Sequence, residues 1–252
     1  MLWAVDVGNT QTVVGVWQGG EWRNVWRVAT NVLATEDELA ATLHGLATLA
    51  GLEFKASAVV VGSVVPSIDQ SWTLLASKHL GVEAKFLRRG AEVGLAVTYD
   101  PPHVVGADRI ANALAALALA SPPLVVVDLG TATTLDCVDS NGAYVGGAIM
   151  PGVLLGLQAL NEKTAKLPSI ALRTPSAAVG RTTVASIESG VVLGYAGAVE
   201  GLVQRVRAEL GTGTRVFSTG GHGELFASLC PSIERHVPEL TLDWLRIAFD
   251  RL

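Results

Sequence analysis

The chain has 252 residues, half of them hydrophobic and 16% charged, a balance that fits one large or two compact α/β lobes with buried cores and excludes a disordered polymer. A net charge of −5 and scattered basic residues exclude the clustered Lys/Arg surface that grips a phosphate backbone, so no nucleic-acid partner is expected. Two cysteines, Cys137 and Cys230, lie outside any CxxC pair and give neither a disulfide framework nor a zinc pattern; a reducing cytoplasmic setting is expected.

The opening MLWAVDVGNT has an acid at Asp6 and no basic leader, which is not the pattern of a signal peptide. Apolar runs at 2–7 and up to Trp17, a turn at Gln18-Gly19-Gly20, and the alternation of Trp22, Trp26 and Val28 over 21–28 predict a three-stranded meander. The tryptophans read as packing residues. Thr35-Glu36-Asp37-Glu38 has capping-box form and precedes Leu39, Leu43, Leu46 and Ala50 at helical spacing. A buried strand is expected at 57–63, a helix near 67–80 and a strand near 83–87, with Arg88-Arg89 as a solvated loop. Ile110 to Val127 carries no charge over a length that requires a membrane check, but Ser121-Pro122-Pro123 splits it into an Ala/Leu-rich helix and a Val-rich strand, so no membrane partner is expected. A second meander follows: a strand at 124–127, one ending near Val138, a hairpin at Asn141-Gly142 and a strand at 144–149. Pro151 is placed to start a helix through Leu160.

Setting VDVGNTQTVVGV (5–16) over VDLGTATTLDCV (127–138) aligns Asp6 with Asp128, Gly8 with Gly130, Thr12 with Thr134 and Val16 with Val138. A register half the chain long predicts a duplicated, two-lobe protein, divided here as residues 1–110 and 111–252. Each repeat ends a strand on Asp and turns through Gly and hydroxyl or amide residues. Such a turn allows close backbone approach and offers N–H groups, with Asn9, Thr10, Thr131 or Thr133, to phosphate oxygens. The carboxylates would repel a bare phosphate, so a cation is implied. Two such turns facing one another could clamp a triphosphate. Neither GxxxxGK[ST] nor GxGxxG is present, so the phosphate grip is of another kind. The third feature is Tyr99-Asp100-Pro101-Pro102-His103-Val104-Val105-Gly106-Ala107-Asp108-Arg109, a rigid loop leading into an Ala-rich helix at 109–120. Asp108 reads either as an N-cap or first-turn acid, or as a general base on an acceptor hydroxyl with Arg109 holding a polar substrate. The histidines are dispersed and support no ligand cluster.

These residues resemble the type III pantothenate kinase family, within the acetate kinase, sugar kinase, heat-shock-protein and actin superfamily. The resemblance covers nearly the whole chain. It is carried by DVGNT at 6–10, SVVP at 63–66, YDPPHVVGADR at 99–109, DLGTATTLD at 128–136, GGAIMPG at 146–152, TAKLP at 164–168, TVASIESGVVLGYAGAVEGLV at 183–203 and STGG at 218–221. It implies a duplicated actin-like ATPase (ribonuclease H-like) α/β fold, each lobe a mixed sheet flanked by helices. It further implies transfer of the γ-phosphoryl group of ATP to pantothenate, with Asp108 as the proton acceptor. ATP would be bound by Asp6, Val7, Gly8, Asn9, Thr10, Gln11, Thr12, Val13 and Thr131, with Asp6 near Mg2+. Tyr99, Gly106, Ala107, Asp108, Arg109 and Thr183 would contact pantothenate, with Thr182 the alternative to Thr183. Asp128 would hold a monovalent cation, K+ or NH4+, and the protein would be a homodimer. His222 departs from the pattern after STGG, where many relatives carry an apolar or small residue. A kinase for another acceptor, or a nucleotide-binding regulator without turnover, remain the competing readings.

Overall fold

The computed structural model of the chain describes residues 1–88, 90–163, 168 and 170–249. It divides into two compact units: Met1–Ala115 together with the segment from Leu240 onward, and Ala116–Glu239.

The first unit opens with β1 (Leu2–Val7), β2 (Gln11–Gln18) and β3 (Glu21–Ala29), the expected meander. Helix α1 (Glu36–Leu49) follows, then β4 (Ala58–Ser63), α2 (Asp69–His79) and β5 (Ala84–Leu87). The sheet order is β3-β2-β1-β4-β5, antiparallel in the meander and parallel from β1 through β4 to β5. Helix α1 starts where the sequence places it: Thr35 Oγ1 accepts from Glu38 N–H and the Glu38 carboxylate accepts from Thr35 N–H, closing the capping box. Its buried face, Ala40, Leu43 and Ala47, joins Trp3, Val5, Val7, Val14, Val16 and Trp72 in one core. Because strand side chains alternate, Ala4 and Asp6 point to the opposite face. That face is covered by the last helix, α8 (Leu240–Phe249), which packs on β1, β2, β4 and β5. Gly15 and Gly62 admit it: a Cβ at Gly15 would sit 2.9 Å from Leu242 Cδ1, and one at Gly62 3.0 Å from Leu245 Cδ2. Trp22 Nε1 donates to Asp243 at 2.9 Å, and the Arg246 guanidinium lies 4.4 Å from the Trp17 ring centre, so the tryptophans are packing residues. A division at 110/111 leaves α8 with the second half; the structure places it on the first sheet, a contact between opposite ends of the chain.

Helix α3 (Ala107–Leu119) runs across the division, and begins two residues before the expected start because Gly106 C=O already accepts from Ile110 N–H. The second unit then repeats the first. Strands β6 (Leu124–Leu129), β7 (Ala132–Val138) and β8 (Tyr144–Pro151) form the meander, followed by α4 (Val153–Lys163), α5 (Thr183–Glu188), a π-helical turn at Ser189–Leu193, and α6 (Gly194–Leu210). Strand β9 (Arg215–Thr219), α7 (Gly223–Ala227) and β10 (Arg235–His236) complete it. The sheet order β10-β9-β6-β7-β8 is the first sheet's order written backwards. The duplication therefore exists in the topology as well as in the letters.

Its register differs from the ungapped alignment by one residue. Val7 pairs with Thr12, and Leu129 with Thr133, so the first turn, Gly8–Thr10, is one residue longer than the second, Gly130-Thr131. Beyond the turn, Thr12 corresponds to Thr133 rather than Thr134, and Val16 to Cys137 rather than Val138. The irregularity at Val16/Trp17 then falls on the one at Cys137/Val138. Pro151 ends β8 opposite Ala132 instead of starting a helix; α4 begins at Val153 because Gly152 N–H is held by Thr131 C=O at 3.0 Å. Of the TAKLP motif, residues 164–167 lie outside the described residues, as does Arg89; Arg88 is exposed and bonds Asp69 Oδ2 at 3.2 Å. Both cysteines are buried and neither is in a disulfide. Among the described residues no helix is long and apolar enough to cross a membrane.

Candidate active site

In the first unit, Asp6 ends β1 half-buried, and Asn9, Thr10 and Gln11 stand exposed beyond it. Gly8 N–H donates to Gln11 C=O at 3.1 Å, closing the turn. Thr30, at the end of β3, holds the turn from below. Its hydroxyl donates to Gly8 C=O at 2.7 Å and meets Thr12 Oγ1 at 2.9 Å, and its N–H donates to Thr10 C=O at 2.9 Å. Val7 is fully buried and Thr12 nearly so, so a ligand at this turn meets their backbone and not their side chains.

The same unit carries Asp108, in the first turn of α3. Arg109 N–H donates to Asp108 Oδ1 at 2.8 Å. Burial pushes the Asp108 carboxyl above the usual carboxylate range, and the Arg109 N–H and guanidinium only partly oppose that. Gly106 leaves room for this carboxylate: a Cβ there would lie 2.4 Å from Asp108 Oδ1 and would turn the side chain aside. Ala107 and Arg109 are buried, and Tyr99 is half-buried in the preceding loop. Asp108 is thus a first-turn acid, and also a desolvated one, which an ordinary helix-dipole acid on the surface is not.

In the second unit, Asp128 ends β6 and Thr131 is exposed at the turn. Gly130 N–H donates to Ala132 C=O at 3.2 Å. Two glycines wedge this turn. A Cβ at Gly152 would sit 2.3 Å from Thr131 C=O oxygen and 2.4 Å from that of Gly130; one at Gly220, at φ +91°, would sit 2.7 Å from Asp128 Oδ1. His222 N–H donates to Leu129 C=O at 3.3 Å, which brings STGG against the turn. The carboxylate of Asp136, fully buried on β7, accepts from Thr134 Oγ1 at 3.1 Å and Tyr144 OH at 3.3 Å. Thr182 caps α5, its hydroxyl accepting from Ala185 N–H at 3.1 Å, whereas Thr183 is exposed and lines a cavity of about 570 Å³ with Gly152, Ser186, Gly190 and Tyr195. Thr30 and Tyr195 were not singled out by the sequence reading. Their signals were a threonine closing a strand of the first meander and a lone tyrosine in the Gly/Ala-rich run of α6.

Two copies of a β-meander joined by parallel crossovers, each meander opened by an Asp-Gly turn, define a protein of the actin-like ATPase and sugar kinase fold. The similarity to solved structures agrees. A Campylobacter jejuni protein labelled with the Baf family of transcriptional activators superposes with TM-score 0.64 at 17% identity, covering 98% of this chain and 97% of that one. The (R)-2-hydroxyglutaryl-CoA dehydratase component A of Acidaminococcus fermentans does so with TM-score 0.52 at 14% identity, over 99% of this chain and 100% of that one. The family follows from sequence. Residues 2–205 match the model of type III pantothenate kinase. Proteins of that name from Thermomicrobium roseum and Myxococcus xanthus are 42% and 41% identical over 100% of this chain and 98% of each relative. The chain belongs to the type III pantothenate kinase family: it is an ATP-dependent kinase that phosphorylates the primary hydroxyl of pantothenate, the first step of coenzyme A synthesis.

Proposed function

We propose that Asp108 is the general base of this reaction. The observation that carries the reading is a half-buried carboxylate in the first turn of α3, oriented by the Arg109 N–H and raised in pKa by burial. The raised pKa brings its basicity toward the working pH, where a general base is most effective. As the γ-phosphorus–oxygen bond to ADP breaks, Asp108 takes the proton of the attacking alcohol, while Tyr99, Gly106, Ala107, Arg109 and Thr183 hold pantothenate. Asp6 through Val13 and Thr131 hold ATP, the buried Val7 and Thr12 through their backbone. Most of the acceleration comes from positioning and charge neutralisation.

Mg2+ and a monovalent cation, K+ or NH4+, belong to the same reading. Among the described residues no three His, Cys, Asp or Glu side chains gather. Asp6 would hold magnesium through water, where the ion would neutralise charge on the phosphates of ATP. A larger, singly charged ion would be held by the Asp128 carboxylate. Bound there, these ions spread the phosphate charge. Exposed Ile149, Leu154 and Leu155, on β8 and α4, support a homodimer, and the enzyme works in the cytoplasm.

Asp108→Asn tests the base. Turnover is expected to fall by about 10²–10⁴-fold with ATP and pantothenate KM little changed, and near-parental turnover would remove Asp108 from the role. The sign of the pH dependence follows from the raised pKa. A buried acid costs the fold nothing while protonated in both states, and destabilises it increasingly as pH rises through the folded value. Asp108→Asn is therefore expected to raise Tm at pH 8, with the gain vanishing below the unfolded Asp pKa of about 3.9. Parental activity should fall on the acid side as the base protonates.

A further inference from the structure

Tyr195, near the start of α6, joins three pieces of the second unit. Its hydroxyl is hydrogen-bonded to Thr133 Oγ1. Its ring tilts on Phe226, centroids 4.6 Å apart. Thr133 is fully buried, two residues past Thr131 and paired with Leu129 across the meander. Gly152 N–H donates to Thr131 C=O at 3.0 Å, and Tyr195 lines one cavity with Gly152 and Val153. The phenol therefore ties the strand that leaves the Gly130-Thr131 turn to α6. Burial, with the nearby Asp128 carboxylate adding to it, pushes the phenol pKa up, so the group stays protonated and keeps a donor.

We propose that Tyr195 is a positioning residue for ATP: by holding Thr133 it fixes the Gly130-Thr131 turn in the conformation that receives the nucleotide phosphates. This rests on the reading that the turn holds ATP. A tyrosine serving only to fill the core would need its ring, which Phe226 engages, and not its hydroxyl.

Steady-state kinetics of Tyr195→Phe, Thr133→Val, the double variant, Thr133→Ser and Thr131→Ala test it. Tyr195→Phe keeps the ring and is expected to raise the KM for ATP about three- to tenfold, the size of one lost hydrogen bond, with the KM for pantothenate within about twofold. Thr133→Val should match it, the double variant should be no worse than either single one, and Thr133→Ser should stay near the parent. An ATP KM unchanged in Tyr195→Phe but raised in Thr131→Ala would overturn the positioning role alone. An ATP KM unchanged in both would overturn the reading of the turn itself. A rise in the pantothenate KM instead would assign the hydroxyl to the cavity that Thr183 lines, and would overturn the proposal.

Discussion

The turn after β1 and the turn after β6 occupy the same place in the same topology, and they are held still by different means. The first, one residue longer, hangs on hydroxyls: Thr30 bonds Gly8 at 2.7 Å and Thr12 at 2.9 Å. The second is wedged by bare backbone, with Gly152 against Gly130 and Thr131 and Gly220 against Asp128, and is tied through Tyr195. Hydrogen-bonded anchors yield by degrees, because a hydroxyl can be replaced or bridged by water. A contact that leaves no room for a methyl group does not yield without moving the chain.

The largest expected difference follows from adding that methyl group to each turn. Gly152→Ala should displace the second turn, destabilise the protein by about 1–3 kcal/mol and cut turnover on the order of 10²-fold, read by thermal unfolding and pantothenate-dependent ADP release. Gly8→Ala, whose Cβ would meet only Gln11 C=O at 3.0 Å, should cost less than a tenth of that in rate; equal losses would erase the contrast. A smaller effect separates the two acids. Asp128→Asn should remove the difference between potassium and sodium buffers, about tenfold in the parent, by weakening a charge-assisted interaction. A parent equally active in both salts would contradict the cation assignment. The smallest is Thr30→Val, which removes two neutral hydrogen bonds from the first turn and should raise the ATP KM about fivefold with turnover nearly unchanged; a parental KM would show that Thr12 and the backbone suffice.

Local signals carried much of this to the sequence. The meanders and the capping box at Thr35 and Glu38 rest on residues a few positions apart, the half-chain repeat on two such short segments set over one another, and the structure keeps them. The one-residue slip between repeats was hidden because Thr133 and Thr134 are adjacent, and either can be set against Thr12. Pro151 misled because proline suits both a first helical turn and the end of an edge strand, and the choice between them is made by the Gly152–Thr131 contact. Which of Thr182 and Thr183 caps α5 was not legible, since either hydroxyl can cap a helix; the cap falls to Thr182. Tyr195 and Thr133 are 62 residues apart, and α8 meets strands more than 150 residues earlier; no periodicity reports pairings of that span.

The return of α8 to the first sheet also sets an order of completion during synthesis. Every strand of the second unit, and the helices on it, leave the ribosome before Leu240 does. The sheet made first must therefore wait, with the face beside Gly15 and Gly62 uncovered, until the final helix arrives. The half translated second is the half that can finish first.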